Sequence, residues 1–154
     1  MMIYIVMGLP GVGKSTYIKE NFNDVINLDI LGFQQTYGVV NGYYEMIEAL
    51  KNMITSKTRN GKDIVVEHTL FKEKRRKEQI KAIREVSNEE ITLIFIDKPD
   101  DLITQQMLKR LSEDNYYFDL KTQETNVRKQ IRENRMILEP PREDEGFYKI
   151  LRVV

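Results

Sequence analysis

Gly8-Leu9-Pro10-Gly11-Val12-Gly13-Lys14-Ser15 stands between the apolar run Ile3-Tyr4-Ile5-Val6-Met7 and the helix-compatible stretch Thr16-Tyr17-Ile18-Lys19-Glu20. This is G-x-x-x-x-G-K-[ST] in the setting that the motif requires, strand before and helix after. Gly8, Gly11 and Gly13 are expected to allow backbone angles closed to other residues, so that successive N–H groups turn inward. Those donors and the positive end of the following helix make an anion site for a polyphosphate. In such a loop Lys14 reaches the β- and γ-phosphates and the Ser15 hydroxyl takes a place on Mg²⁺. The expected nucleotide-binding residues are therefore Gly8, Pro10, Gly11, Val12, Gly13, Lys14, Ser15 and Thr16.

Downstream of this loop the pattern alternates. Val25-Ile26-Asn27-Leu28 predicts a short strand closed by Asp29, and residues 30–42, with Gly32, Gly38 and Gly42, have no clear period. Tyr43 to Arg59 predicts a helix with Met46, Leu50, Met53 and Ile54 on one face, ended by Asn60-Gly61. Ile64-Val65-Val66 predicts a buried strand and Phe71 to Glu85 a helix; Ile91 to Ile96 is the clearest strand in the chain. Helices are predicted over Asp100 to Leu111 and Thr122 to Leu138, with a final strand from Phe147 to Val154. Residues 112–121 are polar and aromatic without period and suit a lid, placed at about 110–125. Strands alternating with helices imply an α/β fold: a three-layer P-loop NTPase or kinase fold with about five parallel strands flanked by helices. Residues 1–154 are expected to form one domain.

Composition removes several classes of chemistry. Basic and acidic side chains number 24 each, so the net charge is zero, unlike that of a strongly basic nucleic-acid-binding protein. With no cysteine and His68 as the single histidine, thiolate zinc sites, cysteine nucleophiles and multi-histidine metal sites are excluded. The N-terminal apolar run is too short for a signal sequence, and no window approaches the ~20 apolar residues of a membrane span. A cytoplasmic location is the corresponding expectation.

A phosphate loop does not by itself separate kinases from ATPases and GTPases. Acids at the ends of strands discriminate, because ligands bind at the carboxyl edge of such a sheet. Asp29 is positioned either to accept the proton of an attacking hydroxyl or to cap the following segment. Glu67, after three apolar residues, has the pattern of the acid that holds Mg²⁺ or its waters. Asp97 precedes Lys98-Pro99-Asp100 and reads better as a helix cap. His68 either lines the cleft or is simply satisfied internally.

Cations supply the remaining candidates. Arg110 ends a helix at the lid, where it can offset charge on a triphosphate. Between residues 72 and 84 there are seven Lys or Arg against two Glu, which is either a phosphate-contacting surface or a solvated helix face. Arg128, Arg132 and Arg135 share one helical face and either reach substrate or pair with Glu124 and Glu139.

The phosphate loop with Thr16, then Asn27-Leu28-Asp29, resembles the kinase domain of polynucleotide 5′-hydroxyl kinases and their P-loop relatives, with zeta-toxin-like kinases more distant. Glu67-His68-Thr69 with Lys72-Glu73-Lys74-Arg75-Arg76 is similar to that family's post-strand acid and downstream arginine pair. Leu138-Glu139-Pro140-Pro141 and Glu145-Gly146-Phe147-Tyr148-Lys149-Ile150 are similar to its closing motif. The resemblance implies ATP- and Mg²⁺-dependent phosphorylation of a hydroxyl, with Lys14, Asp29 and Arg110 as catalytic residues and Ser15 and Glu67 as metal ligands. The implied acceptor is a nucleic acid or nucleotide, with a sugar nucleotide or other small molecule as the alternative. Gly32 stands where that family often carries an arginine for the acceptor's 3′-phosphate. A partner-dependent ATPase or switch module is the reading from another class.

Overall fold

The computed structural model describes residues 1–69, 71–113 and 119–154. Five strands, β1 (Ile3–Gly8), β2 (Ile26–Asp29), β3 (Ile64–Glu67), β4 (Ile91–Ile96) and β5 (Lys149–Val153), form one sheet in the order β2-β3-β1-β4-β5. Every neighbouring pair is parallel. Parallel strands need helical crossovers, which cover both faces of the sheet, and central strands then read as continuous apolar runs. β4 is such a run, buried at all six positions.

Alternation along β1 splits the core into two layers of packing. Ile3, Ile5 and Met7 face a cluster containing Met46 and Leu50 of helix α3 (Val39–Thr55) and Ile80 and Ile83 of α4 (Glu73–Val86). Val6 faces the other cluster. This holds Ile18 of α1 (Lys14–Asn21), Ile103 of α5 (Asp100–Glu113) and Val127 and Ile131 of α6 (Leu120–Ile137). The expected three-layer α/β P-loop fold is what forms.

The first crossover carries the chain from β1 past β3 to β2, whereas β4 lies on the opposite side of β1. The carboxyl end of β1 is thus a switch point, where a crevice opens beside the phosphate loop.

Several boundaries differ from the sequence expectation. Residues 30–42 are helical: α2 (Ile30–Tyr37) turns at Gly38 into α3. A Cβ at Gly42 would lie 2.6 Å from the Gln34 Cα, so this glycine serves close packing of α3 on α2 rather than a loop. α3 ends at Thr55 instead of Arg59, because Ser56 is extended and its Oγ accepts the Thr58 N–H. Arg59, buried, then donates to the Ile54 and Lys62 carbonyls and pairs with Glu89 at 2.6 Å. The aperiodic stretch shortens as well, since α5 runs to Glu113 and α6 starts at Leu120. Residues 114–118 of the expected lid lie outside the described residues. Among the described residues no helix is long and apolar enough to cross a membrane.

Candidate functional site

The phosphate loop turns out of β1 with Gly11 at φ +81° and Gly13 at φ +98°, left-handed angles that other residues adopt only with strain. Gly8 differs from expectation. It ends β1, and what excludes a side chain there is close approach, a Cβ meeting the Ile96 carbonyl at 2.8 Å. Gly13 sits at the N-cap of α1 without a side-chain cap, leaving the first N–H groups of the helix for a ligand. Lys14 Nζ donates to the carbonyls of Gly8 and Leu9, both at 3.1 Å, so the cation is held back against its own loop. Burial pushes the Lys14 ammonium down to about 8, with Arg110 adding to the effect and Glu67 and Asp29 opposing it.

Asp29 and Glu67 are register partners at the ends of β2 and β3, so two carboxylates reach the same edge side by side. Glu67 is buried, and Ser15 Oγ donates to its Oε1. Burial raises the Glu67 carboxyl above its usual range, and the charge of Asp29 acts in the same sense; the Ser15 bond and Lys14 oppose them. Asp29 caps α2, its Oδ1 accepting the Leu31 N–H at 3.0 Å, and it also lines the crevice. Both sequence alternatives for Asp29 are compatible with this placement.

One cavity of about 370 Å³ gathers Pro10, Gly11, Gly13, Lys14, Ser15, Thr16, Asp29, Glu67 and Arg110. Gly8 and Val12 are not among its walls: Gly8 belongs to the strand and Val12 is a buried core residue. Arg110, in the last turn of α5, also lines a neighbouring cavity of about 250 Å³ with Gly11, Gly13, Thr16, Lys98, Gln106 and Met107. The Gln106 Oε1 is buried without a hydrogen-bond partner among the described residues. Gln106 and Arg110 are i and i+4 on α5, a spacing that could have flagged Gln106 once Arg110 was suspected. Gln34 and Thr69 are further crevice residues that sequence reasoning passed over. Gln34 was hidden because α2 was not recognised.

His68 is buried, and its Nδ1 lies 2.9 Å from Gln79 Nε2. Burial and the nearby charges of Lys14 and Arg75 lower it to about 4, so the ring is neutral at ordinary pH. It nevertheless keeps an edge on the crevice.

Other candidates are drawn into the scaffold. Asp97 is bound by Arg135 Nη1 at 2.9 Å and by Arg152 Nε at 3.0 Å. Arg128 pairs with Asp101 and Glu124, and Arg135 with Asp97 and Asp100 rather than with Glu139. Four of the seven cations between residues 72 and 84 have acidic partners: Lys72 pairs with Glu139, Arg75 with Glu78, Lys77 with Glu73, and Arg76 is buried against Glu145.

Among the described residues no group of three or more His, Asp or Glu is placed to hold a metal ion alone. Magnesium does not require one: it is held by one or two carboxylates together with waters and substrate phosphates. The hard oxygens of Ser15 and Glu67, already in contact beside an anion-binding helix terminus, suit that cation.

Among solved structures, the chain is similar to a gluconokinase from Sinorhizobium meliloti 1021 (14% identity, TM-score 0.59, covering 98% of this chain and 81% of that one). It is also similar to a tunicamycin resistance protein from Deinococcus radiodurans (13% identity, TM-score 0.54, 97% and 85%). A third likeness is to the Pnkp1/Rnl/Hen1 RNA repair complex (15% identity, TM-score 0.57), where 90% of this chain covers 46% of the other. These are likenesses of fold. No curated protein matches the sequence. The family model described as an AAA domain (AAA_33) matches residues 3–135, most of the chain, and the protein belongs to that family.

Proposed function

We propose that this protein is a kinase, transferring the γ-phosphoryl group of ATP, with Mg²⁺, to a hydroxyl of a nucleic acid or nucleotide-type acceptor. The observation that carries this reading is the single crevice lined by Lys14, Asp29, Glu67 and Arg110. A cationic loop and a helix terminus lie on one side, and a strand-end carboxylate in reach of a second substrate lies on the other. Support for a kinase also comes from the gluconokinase fold likeness.

In this reading the acceptor oxygen attacks the γ-phosphorus as its proton passes to Asp29. A bond forms between that oxygen and phosphorus, the bond from phosphorus to the β–γ bridging oxygen breaks, and ADP leaves. Lys14 and Arg110 offset charge on the transferred oxygens, and the loop N–H groups fix the β-phosphate. Ser15 and Glu67 would hold Mg²⁺, which supplies further charge neutralisation when bound.

The test is transfer of labelled γ-phosphate from ATP·Mg²⁺ to a panel of 5′-hydroxyl DNA and RNA, nucleosides, UDP-sugars and gluconate, with Lys14→Ala as control. Label on a nucleic acid or nucleoside, lost in the variant, supports the proposal. Label on a sugar alone favours the small-molecule alternative. Label released only as free phosphate favours a partner-dependent ATPase.

A further inference from the structure

A second cavity, of about 200 Å³, adjoins the crevice and shares Gln34, His68 and Thr69 with it. Its outer walls are Val39, Val40, Phe71 and Ile137; its floor is the Tyr43 ring, buried and tilted against His68 with centroids 5.9 Å apart. The Arg75 guanidinium lies 4.5 Å from the centre of the Tyr43 ring. Glu78 fixes this stack twice, accepting from Tyr43 Oη at 3.1 Å and from Arg75 Nη1 at 3.0 Å.

Three classes of occupant are separated by these walls. A polyol ring would set hydroxyls against four apolar side chains, and among the described residues no acid lines the cavity to receive them. A polyanion would need free cations, whereas Lys72 and Arg75 each already carry a carboxylate partner. A flat heteroaromatic ring needs apolar and π faces with a few hydrogen-bonding groups at one end, and this is what the cavity offers. Val39 and Val40, 73% and 61% exposed, are otherwise apolar side chains turned to solvent for no packing reason.

We infer that this cavity is the acceptor's base pocket: it takes one unstacked nucleobase between Val39/Val40 and the Tyr43–Arg75 stack, with the attached sugar hydroxyl directed toward Asp29. The inference rests on the kinase reading for the role of the bound nucleoside, but the pocket itself is testable without turnover. It makes Val40 and Arg75 specificity-determining residues. They act on a terminal base and supply no phosphate clamp.

The experiment compares a 5′-hydroxyl trinucleotide with the same molecule carrying an abasic 5′-terminal ribose. In the wild type, kcat/KM should be about tenfold lower for the abasic end, mostly through KM, the scale of one stacked base. Val40→Asp and Arg75→Ala should each bring the ratio between the two acceptors toward one. Both sites are surface-accessible, so folding is expected to survive, and thermal melts check it. Equal transfer to both acceptors by the wild type, or transfer to gluconate or UDP-sugars alone, overturns the base pocket and leaves the kinase standing. In parallel, 2-aminopurine riboside is titrated with the protein in ADP·Mg²⁺ and followed by fluorescence. Saturable binding weakened about tenfold by Val40→Asp upholds the pocket even where no transfer is seen, in which case only the kinase reading falls. No saturable binding overturns the pocket.

Discussion

Ser15 Oγ donates a hydrogen bond to the Glu67 carboxylate, joining the first turn of α1 to the end of β3 across 52 positions of sequence. Both oxygens are proposed Mg²⁺ ligands, so this contact marks where the cation would be held. Glu67→Gln retains an acceptor for Ser15 and removes the charge. The Mg²⁺ concentration for half-maximal transfer should rise at least about tenfold, the scale found when even a ligand's supporting partner is lost. A Mg²⁺ titration identical to that of the wild type would remove Glu67 from the metal site.

Asp29 has one observed role, the cap of α2, and one proposed role, the base, and the two are separable. Asn caps helices about as well as Asp, so Asp29→Asn should keep the bond to the Leu31 N–H while abolishing a base. Its kcat should fall about 10²–10⁴-fold with an unchanged melting temperature. Asp29→Ala should lose the same activity and, in addition, about 1 kcal/mol of stability. Wild-type turnover in the Asn variant would show that another group takes the proton.

Local sequence rules made the sheet legible because the inner strands β1, β3 and β4 are almost wholly buried and so nearly continuous in apolar residues, while the partly exposed edge strands β2 and β5 still carry short apolar runs. Three acids were read correctly as strand-end residues for the same reason. α2 and the first turn of α3 were not legible: with Gly32, Gly38 and Gly42 among them, residues 30–42 have no clear period. Gly38 does turn the chain, but Gly42 exists to let one helix backbone touch another, which is a property of two segments rather than one. The roles of arginines were also tertiary facts. Arg76 and Arg110 look alike in sequence, yet one is locked in the interior and the other borders the crevice. Asp97 outranks Glu67 on preceding apolar residues alone; the turn Lys98-Pro99-Asp100 pointed to a structural role as a cap, and the role observed is the pairing with Arg135 and Arg152.

Arg76 and Glu145 form a fully buried pair, with two bonds of 2.7 and 2.6 Å between α4 and the turn at Glu143–Glu145 that leads into β5. Removing one partner strands a charge in the interior. Arg76→Met or Glu145→Gln should each cost about 3–5 kcal/mol. The double replacement Arg76→Met with Glu145→Leu should be less damaging than either single change. Urea denaturation of the three variants checks this, and simple additivity of the single losses would contradict a coupled pair.

Asp97 ties β4 to α6 and β5, and its protonation offers a pH test of that junction. Burial alone would raise its carboxyl, but the bonds to Arg135 and Arg152 outweigh burial and hold it below the usual carboxylate range. A depressed folded pKa means that the contribution is fully present above the unfolded value of about 3.9. It is lost as pH falls from there through the folded pKa. Asp97→Asn should therefore cost about 1.5–3 kcal/mol at neutral pH, the scale of a hydrogen bond to a charged group. Because other depressed carboxylates such as Glu89 are common to both proteins, the difference between wild type and variant isolates Asp97. Measured by urea denaturation at stepped pH, that difference should be constant above pH ~5 and shrink steadily below ~4. A gap that persists unchanged into acid would mean that the junction depends on the shape of the side chain and not on its charge.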